Sequence, residues 1–88
     1  MDLFLEIEKN FPKIEKFFTE KLLSEFIETA PEDLEKFNVG LGTMIRLRLL
    51  RPKSALYKKF IQHSYTDTNA MTMVIIREFY TYTRNKYK

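Results

Sequence analysis

Apolar residues recur along this chain at spacings of three and four, which place side chains on one face of an α-helix. Pro12 interrupts the first run, because a proline inside a helix removes a hydrogen bond and clashes with the preceding turn. We therefore expect a first helix that ends or kinks near Asn10, with Pro12 in the first turn of any helix that begins there. Residues 19–28 are predicted to form a separate short helix. The predicted apolar face of this region consists of Phe4, Ile7, Phe11, Ile14, Phe18, Leu22 and Phe26.

A longer helix is predicted to begin at Pro31 and to end before Pro52. Proline suits the first helical position, and the acidic residues Glu32 and Asp33 oppose the positive end of the helix dipole. Helical backbone is disfavoured at the residue before a proline, which sets the predicted end. The apolar face of this helix consists of Leu34, Phe37, Leu41, Met44 or Ile45, and Leu49.

Two more helices are predicted in the rest of the chain. Ser54 is a candidate cap for a helix whose apolar side is Leu56, Tyr57, Phe60 and Ile61. Residues 62–65 form a connection, and Thr66 or Asp67 caps the last helix. One apolar face of that last helix consists of Met71, Val74, Ile75, Phe79 and Tyr82.

The last helix carries a second apolar face, formed by Met73, Ile76 and Tyr80. A helix that is apolar on two sides lies either at the centre of a bundle or at an interface with a partner. Residues 72–83 also suit a strand, since they are rich in β-branched and aromatic residues. A lone strand has no partner elsewhere in the sequence, so a helix is favoured. The sequence predicts an all-α fold, a compact bundle of four or five helices in a single domain over residues 1–88.

Composition excludes several classes of protein. A hydrophobic fraction of 44% is too high for intrinsic disorder. The absence of cysteine excludes a disulfide scaffold, a zinc ribbon and a thiol nucleophile, and two glycines do not suffice for a nucleotide-binding phosphate loop. The N-terminus is acidic, and no apolar run is long enough to span a membrane. We expect a cytoplasmic protein of a bacterial cell that does not enter the membrane.

The net charge of +3 hides an unequal distribution of charge along the chain. Residues 1–36 hold ten acidic residues and five lysines, a net charge of −5, whereas residues 37–88 hold ten basic and two acidic residues, a net charge of +8. Six of these basic residues lie within fourteen positions and are called the basic stretch: Arg46, Arg48, Arg51, Lys53, Lys58 and Lys59. Arg77 and Arg84 lie near tyrosines in the last predicted helix and are further candidates for binding an anionic partner.

Three explanations of the basic stretch remain open. Cations in the last turn of a helix stabilise its negative end, and the acidic helices of the same chain are a second candidate for contact with the stretch. The third explanation is an anionic partner, which is RNA, DNA or an acidic protein surface. The planar guanidinium of arginine suits phosphate and carboxylate equally well, so the sequence does not distinguish these partners.

Catalysis has little support in the sequence. His63 is the single histidine, and Ser54 has no base arranged around it in a known pattern. The segment Asp67-Thr68-Asn69 resembles part of a calcium loop but lacks its glycine and its terminal glutamate. We expect no enzymatic activity, no cofactor and no metal site.

Gly40 and Gly42 lie within the predicted helix, where each costs about 1 kcal/mol relative to alanine. We expect that they permit close packing of a neighbouring helix; the alternative is a break that lets a partner approach the backbone. Around them the chain resembles a family of small bacterial domains of unknown function, whose centre reads Gly-Leu-Gly-x-x-Ile-Arg and is matched here by residues 40–46. The resemblance continues at Ser54, Leu56, Phe60, Met71, Ile75, Ile76 and Phe79. It implies an all-α fold and a role for Gly40, Gly42 and Arg46.

The sequence departs from that family directly after Arg46, where the family favours Asn and Trp, and it lacks a His-Pro-Asp-Asp turn. In kind, though not in sequence, the chain is also similar to small phage-encoded inhibitors of host defence, including anti-CRISPR proteins. The leading hypothesis is a non-enzymatic binding protein that acts on a protein partner, with inhibition of a nucleic-acid-handling complex such as a CRISPR effector as one form. The alternatives are direct RNA or DNA binding through residues 46–59, and a homodimer formed through the second apolar face of the last helix.

Overall fold

Helices account for most of the backbone that the structure describes. The computed structural model describes residues 2–87, and of Asp2 only the backbone. These residues form α1 (Asp2–Lys9), α2 (Phe11–Glu15), α3 (Glu20–Glu28), a 3₁₀-helix (Pro31–Asn38), α4 (Gly40–Arg48), α5 (Ala55–Gln62) and α6 (Thr68–Tyr87). No strand occurs among them, so the predicted all-α fold is confirmed. Residues 2–87 divide into seven helical segments, whereas four or five helices were predicted.

Side-chain hydrogen bonds of Asn10 and Thr19 mark the breaks between helices in the first third of the chain. Asn10 separates α1 from α2, and its side-chain amide donates to the Glu6 carbonyl at 2.8 Å. Pro12 lies in the first turn of α2, where its missing N–H costs no helical hydrogen bond. Thr19 caps α3, since its hydroxyl accepts a hydrogen bond from the Leu22 N–H at 3.1 Å. The predicted helix end near Asn10 and the predicted short helix over residues 19–28 both form.

The long helix predicted from Pro31 to the region of Pro52 is wrong in its first half. Residues Pro31–Asn38 form a 3₁₀-helix, and a separate α-helix begins at Gly40. A 3₁₀-helix has three residues per turn, so side chains three positions apart lie in one row. Leu34 is buried and Phe37, three residues later, packs against the same core. This spacing suits the tighter helix.

The starts of α5 and α6 have the capping residues that were predicted for them. The Ser54 hydroxyl accepts from the Tyr57 N–H at 3.1 Å at the start of α5. The carboxylate of Asp67, the residue before α6, accepts from the Asn69 N–H at 2.9 Å. Residues 63–67 connect the two helices.

Helix α6 is the centre of the molecule. Its 20 residues span about 30 Å at 1.5 Å per residue, close to the 33 Å longest dimension of the structure. It packs against the 3₁₀-helix, α4, α3 and α1. Met73, Ile76 and Tyr80 of the second apolar face are buried within the chain. The face on which the alternative of a homodimer was based therefore belongs to the core of the chain.

Three predicted apolar positions lie at the surface instead of in the core. Phe4 is 47% exposed, while Leu22 and Ile61 are each 44% exposed. The breaks after α1 and α2 change the direction of the chain, so the apolar face of α1 does not continue into α3. Leu3 is buried in place of Phe4.

Helix α5 ends in a turn that places Ser64 in the left-handed region, with φ of 69°. The Tyr65 N–H donates to the Phe60 carbonyl and the Ser64 N–H to the Ile61 carbonyl, both at 3.0 Å. The rings of Phe60 and Tyr65 pack edge to face, 5.2 Å apart. This is the hydrogen-bond pattern that glycine most often completes at a helix C-terminus.

Ser64→Gly is expected to raise the free energy of unfolding by about 0.5–1 kcal/mol. Glycine adopts positive φ without a Cβ clash, and its greater freedom in the unfolded chain offsets part of that gain. Urea denaturation of the two proteins measures the difference. Ser24→Gly, an exposed position inside α3, is the control and should lower stability by about 0.5 kcal/mol. A loss of stability for Ser64→Gly would contradict the role given to this turn.

Candidate functional site

Arg46, the first residue of the basic stretch, is engaged inside the molecule. Its Nη1 donates to the Asn38 side-chain oxygen at 2.7 Å and to the Thr72 hydroxyl at 3.4 Å. Its Nη2 donates to the Asn38 carbonyl at 3.0 Å and to the Thr43 hydroxyl at 3.3 Å. These bonds join the end of the 3₁₀-helix to α4 and α6. Arg46 therefore has a structural role within the fold, and its binding to a partner stays a prediction.

Arg84 has a similar internal role at the C-terminus of α3. Its Nη1 donates to the Ile27 carbonyl at 3.1 Å and to the Tyr80 hydroxyl at 2.6 Å. The Tyr80 hydroxyl in turn donates to the carbonyl of Thr29. The last carbonyls of a helix lack partners within it, and a cation there opposes the negative end of the dipole. Arg84 therefore stabilises the end of α3, and its binding to an anionic partner stays a prediction.

The other cations of the basic stretch have different surroundings. The Arg51 Nε donates to the Leu47 carbonyl at 3.2 Å. Lys59 is half-buried and lines a depression with Glu6 and Glu8 of α1. Arg48, Lys53, Lys58 and Arg77 are exposed.

The acidic and basic parts of the chain do contact each other. Helix α1 packs against α5, and the Lys86 ammonium lies 3.1 Å from the Glu15 carboxylate. Hydrogen bonds to the Tyr82 hydroxyl and to Glu15 raise the pKa of Lys86 above its usual range. The Tyr87 hydroxyl donates to the same carboxylate at 2.8 Å. Some of the opposite charges of the acidic and basic parts of the chain are therefore paired within the fold.

A groove between α2 and α4 is the best candidate for a binding site, and we call it the α2–α4 groove. It consists of a wider depression of roughly 500 Å³ and a narrower one of roughly 230 Å³, which share Phe17 and Met44. Four helical segments (α2, α3, the 3₁₀-helix and α4) and the connection after α2 supply its walls. Its lining residues are Lys13, Lys16, Phe17, Phe18, Leu22, Lys36, Phe37, Gly40, Leu41, Met44, Arg48 and Leu49.

The lining has an apolar floor and a cationic rim. Four of its residues are exposed cations, and it contains no aspartate or glutamate. Three of the four, Lys13, Lys16 and Lys36, come from the acidic part of the chain, and the sequence did not single them out. Lys13 and Lys16 are three residues apart, which puts them on one side of a helical turn. Only the packing of α2 beside α4 brings them to the same groove as Arg48.

A family model described as "Domain of unknown function (DUF6794)" matches residues 6–83. The chain belongs to this family. The match includes every residue that lines the α2–α4 groove, so the groove lies within the part of this chain that the family model covers. No curated protein and no solved structure matches the chain. The expected membership in a small family of unknown function is confirmed, while the Gly-Leu-Gly-x-x-Ile-Arg core as its signature stays a prediction.

The two glycines of the DUF6794 domain have different surroundings. A Cβ on Gly42 would lie 2.6 Å from the Asn38 side-chain oxygen and 3.1 Å from the Thr72 side chain on α6. A Cβ on Gly40 would have no atom within 4 Å. Gly42 thus lies where close packing requires glycine. For Gly40 the close-packing prediction is wrong, because its missing side chain leaves open space at the narrower end of the groove.

The residues weighed for catalysis or metal binding have structural partners. The exposed His63 has its Nδ1 2.9 Å from the Lys59 carbonyl, and Ser54 and Asp67 cap helices. Across residues 2–87 there is no cluster of three acidic or histidine side chains that could hold a metal ion. Within the same residues, no helix is both long and apolar enough to cross a membrane.

Proposed function

We propose that this DUF6794 domain is a non-enzymatic module that binds a protein partner through the α2–α4 groove. The supporting observation is the composition of the groove, an apolar floor that remains open to solvent beneath a rim of cations. Protein–protein interfaces have this organisation, with an apolar centre and a polar, solvent-accessible rim. Aromatic residues and methionine are enriched at such centres, and here Phe17, Phe37 and Met44 occupy the floor.

The arrangement of the basic stretch favours a protein over a nucleic acid. Interfaces with DNA or RNA need cations that follow the phosphate backbone, and they are more polar than interfaces between proteins. Arg46 bonds within the core, Lys59 lies beside α1, and Arg48 lines the groove. These three cations of residues 46–59 thus have different surroundings, which supports a role other than following a phosphate backbone.

Site-specific photocrosslinking tests this proposal in cells of the organism that encodes the protein. A photoreactive benzoylphenylalanine replaces Lys16 at the groove in one variant and Arg77 on the exposed side of α6 in another. We expect a discrete protein adduct from position 16 that is at least tenfold weaker from position 77. Equal adducts from both positions, or adducts with nucleic acid from position 16, would contradict it.

Titration of labelled RNA and DNA gives the complementary measurement. Direct phosphate binding predicts tight binding at low salt and a steep linear fall of log affinity with log salt concentration. Our proposal predicts no saturable binding at about 50 mM salt. Such binding, weakened by Arg51→Ala or Lys58→Ala, would replace the protein-binding proposal. Inhibition of a nucleic-acid-handling complex stays a prediction, and the identity of the crosslinked partner tests it.

A further inference from the structure

We infer that the occupant of the α2–α4 groove is an amphipathic helix of the partner, with apolar residues facing the floor and acidic residues at its edges. This inference rests on the proposed function and adds the shape and charge of the segment that binds. Three observations support it: the helical walls of the groove, the length of the groove, and the positive charge of its rim.

The walls favour a helical ligand. An extended peptide gains main-chain hydrogen bonds when it adds to a free sheet edge, and residues 2–87 contain no strand. The residues along the groove belong mainly to helices, whose backbone groups bond within the helix. A helical ligand satisfies its own backbone groups and needs only side-chain contacts, as in other helix-in-groove complexes.

The length of the groove matches about two turns of helix. Gly40, Met44 and Arg48 of α4 are four residues apart and line the groove from its narrower to its wider depression. Eight residues of rise correspond to about 12 Å. Over that distance a ligand helix presents apolar side chains at positions i, i+3 or i+4, and i+7 on one face. Each of the two depressions can thus receive at least one apolar side chain.

The charge of the rim selects acidic flanking residues. Lys13, Lys16 and Arg48 surround the wider depression, while Lys36 lies over the Phe37 ring, 5.5 Å from its centre, beside the narrower one. No lining carboxylate neutralises these cations. Carboxylates on both edges of a ligand helix meet opposite charges, whereas lysines there meet like charges. Complementary charge raises the association rate and suppresses wrong partners, and both effects weaken with salt.

Two matched synthetic helices test the inference directly. Both are 14-residue stapled peptides with leucines at i, i+4 and i+7; one has glutamates and the other lysines at the remaining positions beside the apolar face. A third peptide has the acidic composition with two central prolines, so that it cannot form a helix. Binding to the full chain is followed by ¹⁵N-labelled protein spectra and by fluorescence polarisation.

We expect the acidic helix to shift the amide signals of Phe17, Leu41 and Met44 and to bind at least tenfold more tightly than the other two peptides. Gly40→Leu should weaken this binding at least tenfold, because the new side chain enters open space in the groove. Ala55→Leu is the matched control, since Ala55 is also exposed and also the first residue of a helix, but lies outside the groove.

A charge reversal supplies a second variant that does not depend on filling the groove. Lys16→Glu should weaken binding of the acidic helix and strengthen binding of the basic one, while Lys53→Glu, with the same change in net charge, should alter neither by more than twofold. No binding of the acidic helix at millimolar concentration, or equal binding of all three peptides, would overturn the inference. So would shifts confined to the exposed face of α6, or self-association through the groove in light scattering. Crosslinking from position 16 reports on the proposed function independently of all these outcomes.

Discussion

Phe26→Ala is expected to lower the free energy of unfolding by about 3–5 kcal/mol, the range for removal of a fully buried phenylalanine. Phe26 is inaccessible to solvent and lies at the centre of the aromatic core. Its ring centre is 4.9–5.8 Å from the ring centres of its four aromatic neighbours: Phe18, Phe37, Phe79 and Tyr80. Edge-to-face and tilted ring pairs add about 0.5–1.5 kcal/mol each to the burial of area.

The expected loss is a large part of the total stability. A domain of this length is stable by roughly 4–13 kcal/mol, at about 0.05–0.15 kcal/mol per residue. Urea denaturation followed by circular dichroism measures the change. Leu22→Ala is the control on the same helix, because Leu22 is 44% exposed and should cost less than about 1 kcal/mol. Equal costs for the two variants would show that Phe26 is not the centre of the core.

The aromatic neighbours of Phe26 connect the core with the candidate site. Phe18 and Phe37 contact Phe26 on one side and line the α2–α4 groove on the other. The floor of the groove is therefore the outer surface of the aromatic core, which fixes its shape. A surface built in this way presents apolar groups to a partner at little cost in side-chain order, since their positions are already set by packing.

Helix boundaries were predictable because their signals are local. Pro12, Ser54 and Asp67 act within one turn of their own positions, and each has the predicted place in the structure. The 3₁₀-helix was not predictable from the periodicity, because Leu34 and Phe37 suit a spacing of three in either kind of helix. Tertiary packing of this segment against α6 and α4 decides the outcome.

The candidate site depends on contacts between residues far apart in the sequence, which explains why it was only partly predicted. Arg48 was identified as a candidate binding residue from the unequal distribution of charge along the sequence. Lys13 and Lys16 lie in residues 1–36, whose negative net charge gave no sign of a cationic surface. Arg46 was chosen as a binding residue because nothing in the sequence shows that Asn38 and Thr72 meet its guanidinium. Net charge along a chain locates a binding surface only when neighbouring cations also share a face.

Gly42→Ala is expected to lower the free energy of unfolding by about 2 kcal/mol, while Gly40→Ala is expected to raise it by about 0.5–1 kcal/mol. Within a helix, alanine is favoured over glycine by up to about 1 kcal/mol, so only a specific clash reverses the sign in the first turn of α4. At Gly42 the new Cβ would lie 2.6 Å from the Asn38 oxygen and 3.1 Å from the Arg46 Nη1. At Gly40 it meets no atom within 4 Å, and its φ is not positive.

The cost at Gly42 arises mainly from one hydrogen-bond network. The Asn38 side chain must move away from the new Cβ, which breaks its 2.7 Å bond to Arg46. A hydrogen bond to a charged group contributes about 1.5–3 kcal/mol. In an Arg46→Ala background that bond is already absent and Asn38 is free to move, so Gly42→Ala should cost at least 1 kcal/mol less there. Urea denaturation of the four proteins in this double-mutant cycle measures the difference. Additive costs would mean that the clash with Thr72 on α6, rather than the bond from Arg46 to Asn38, requires glycine at this position.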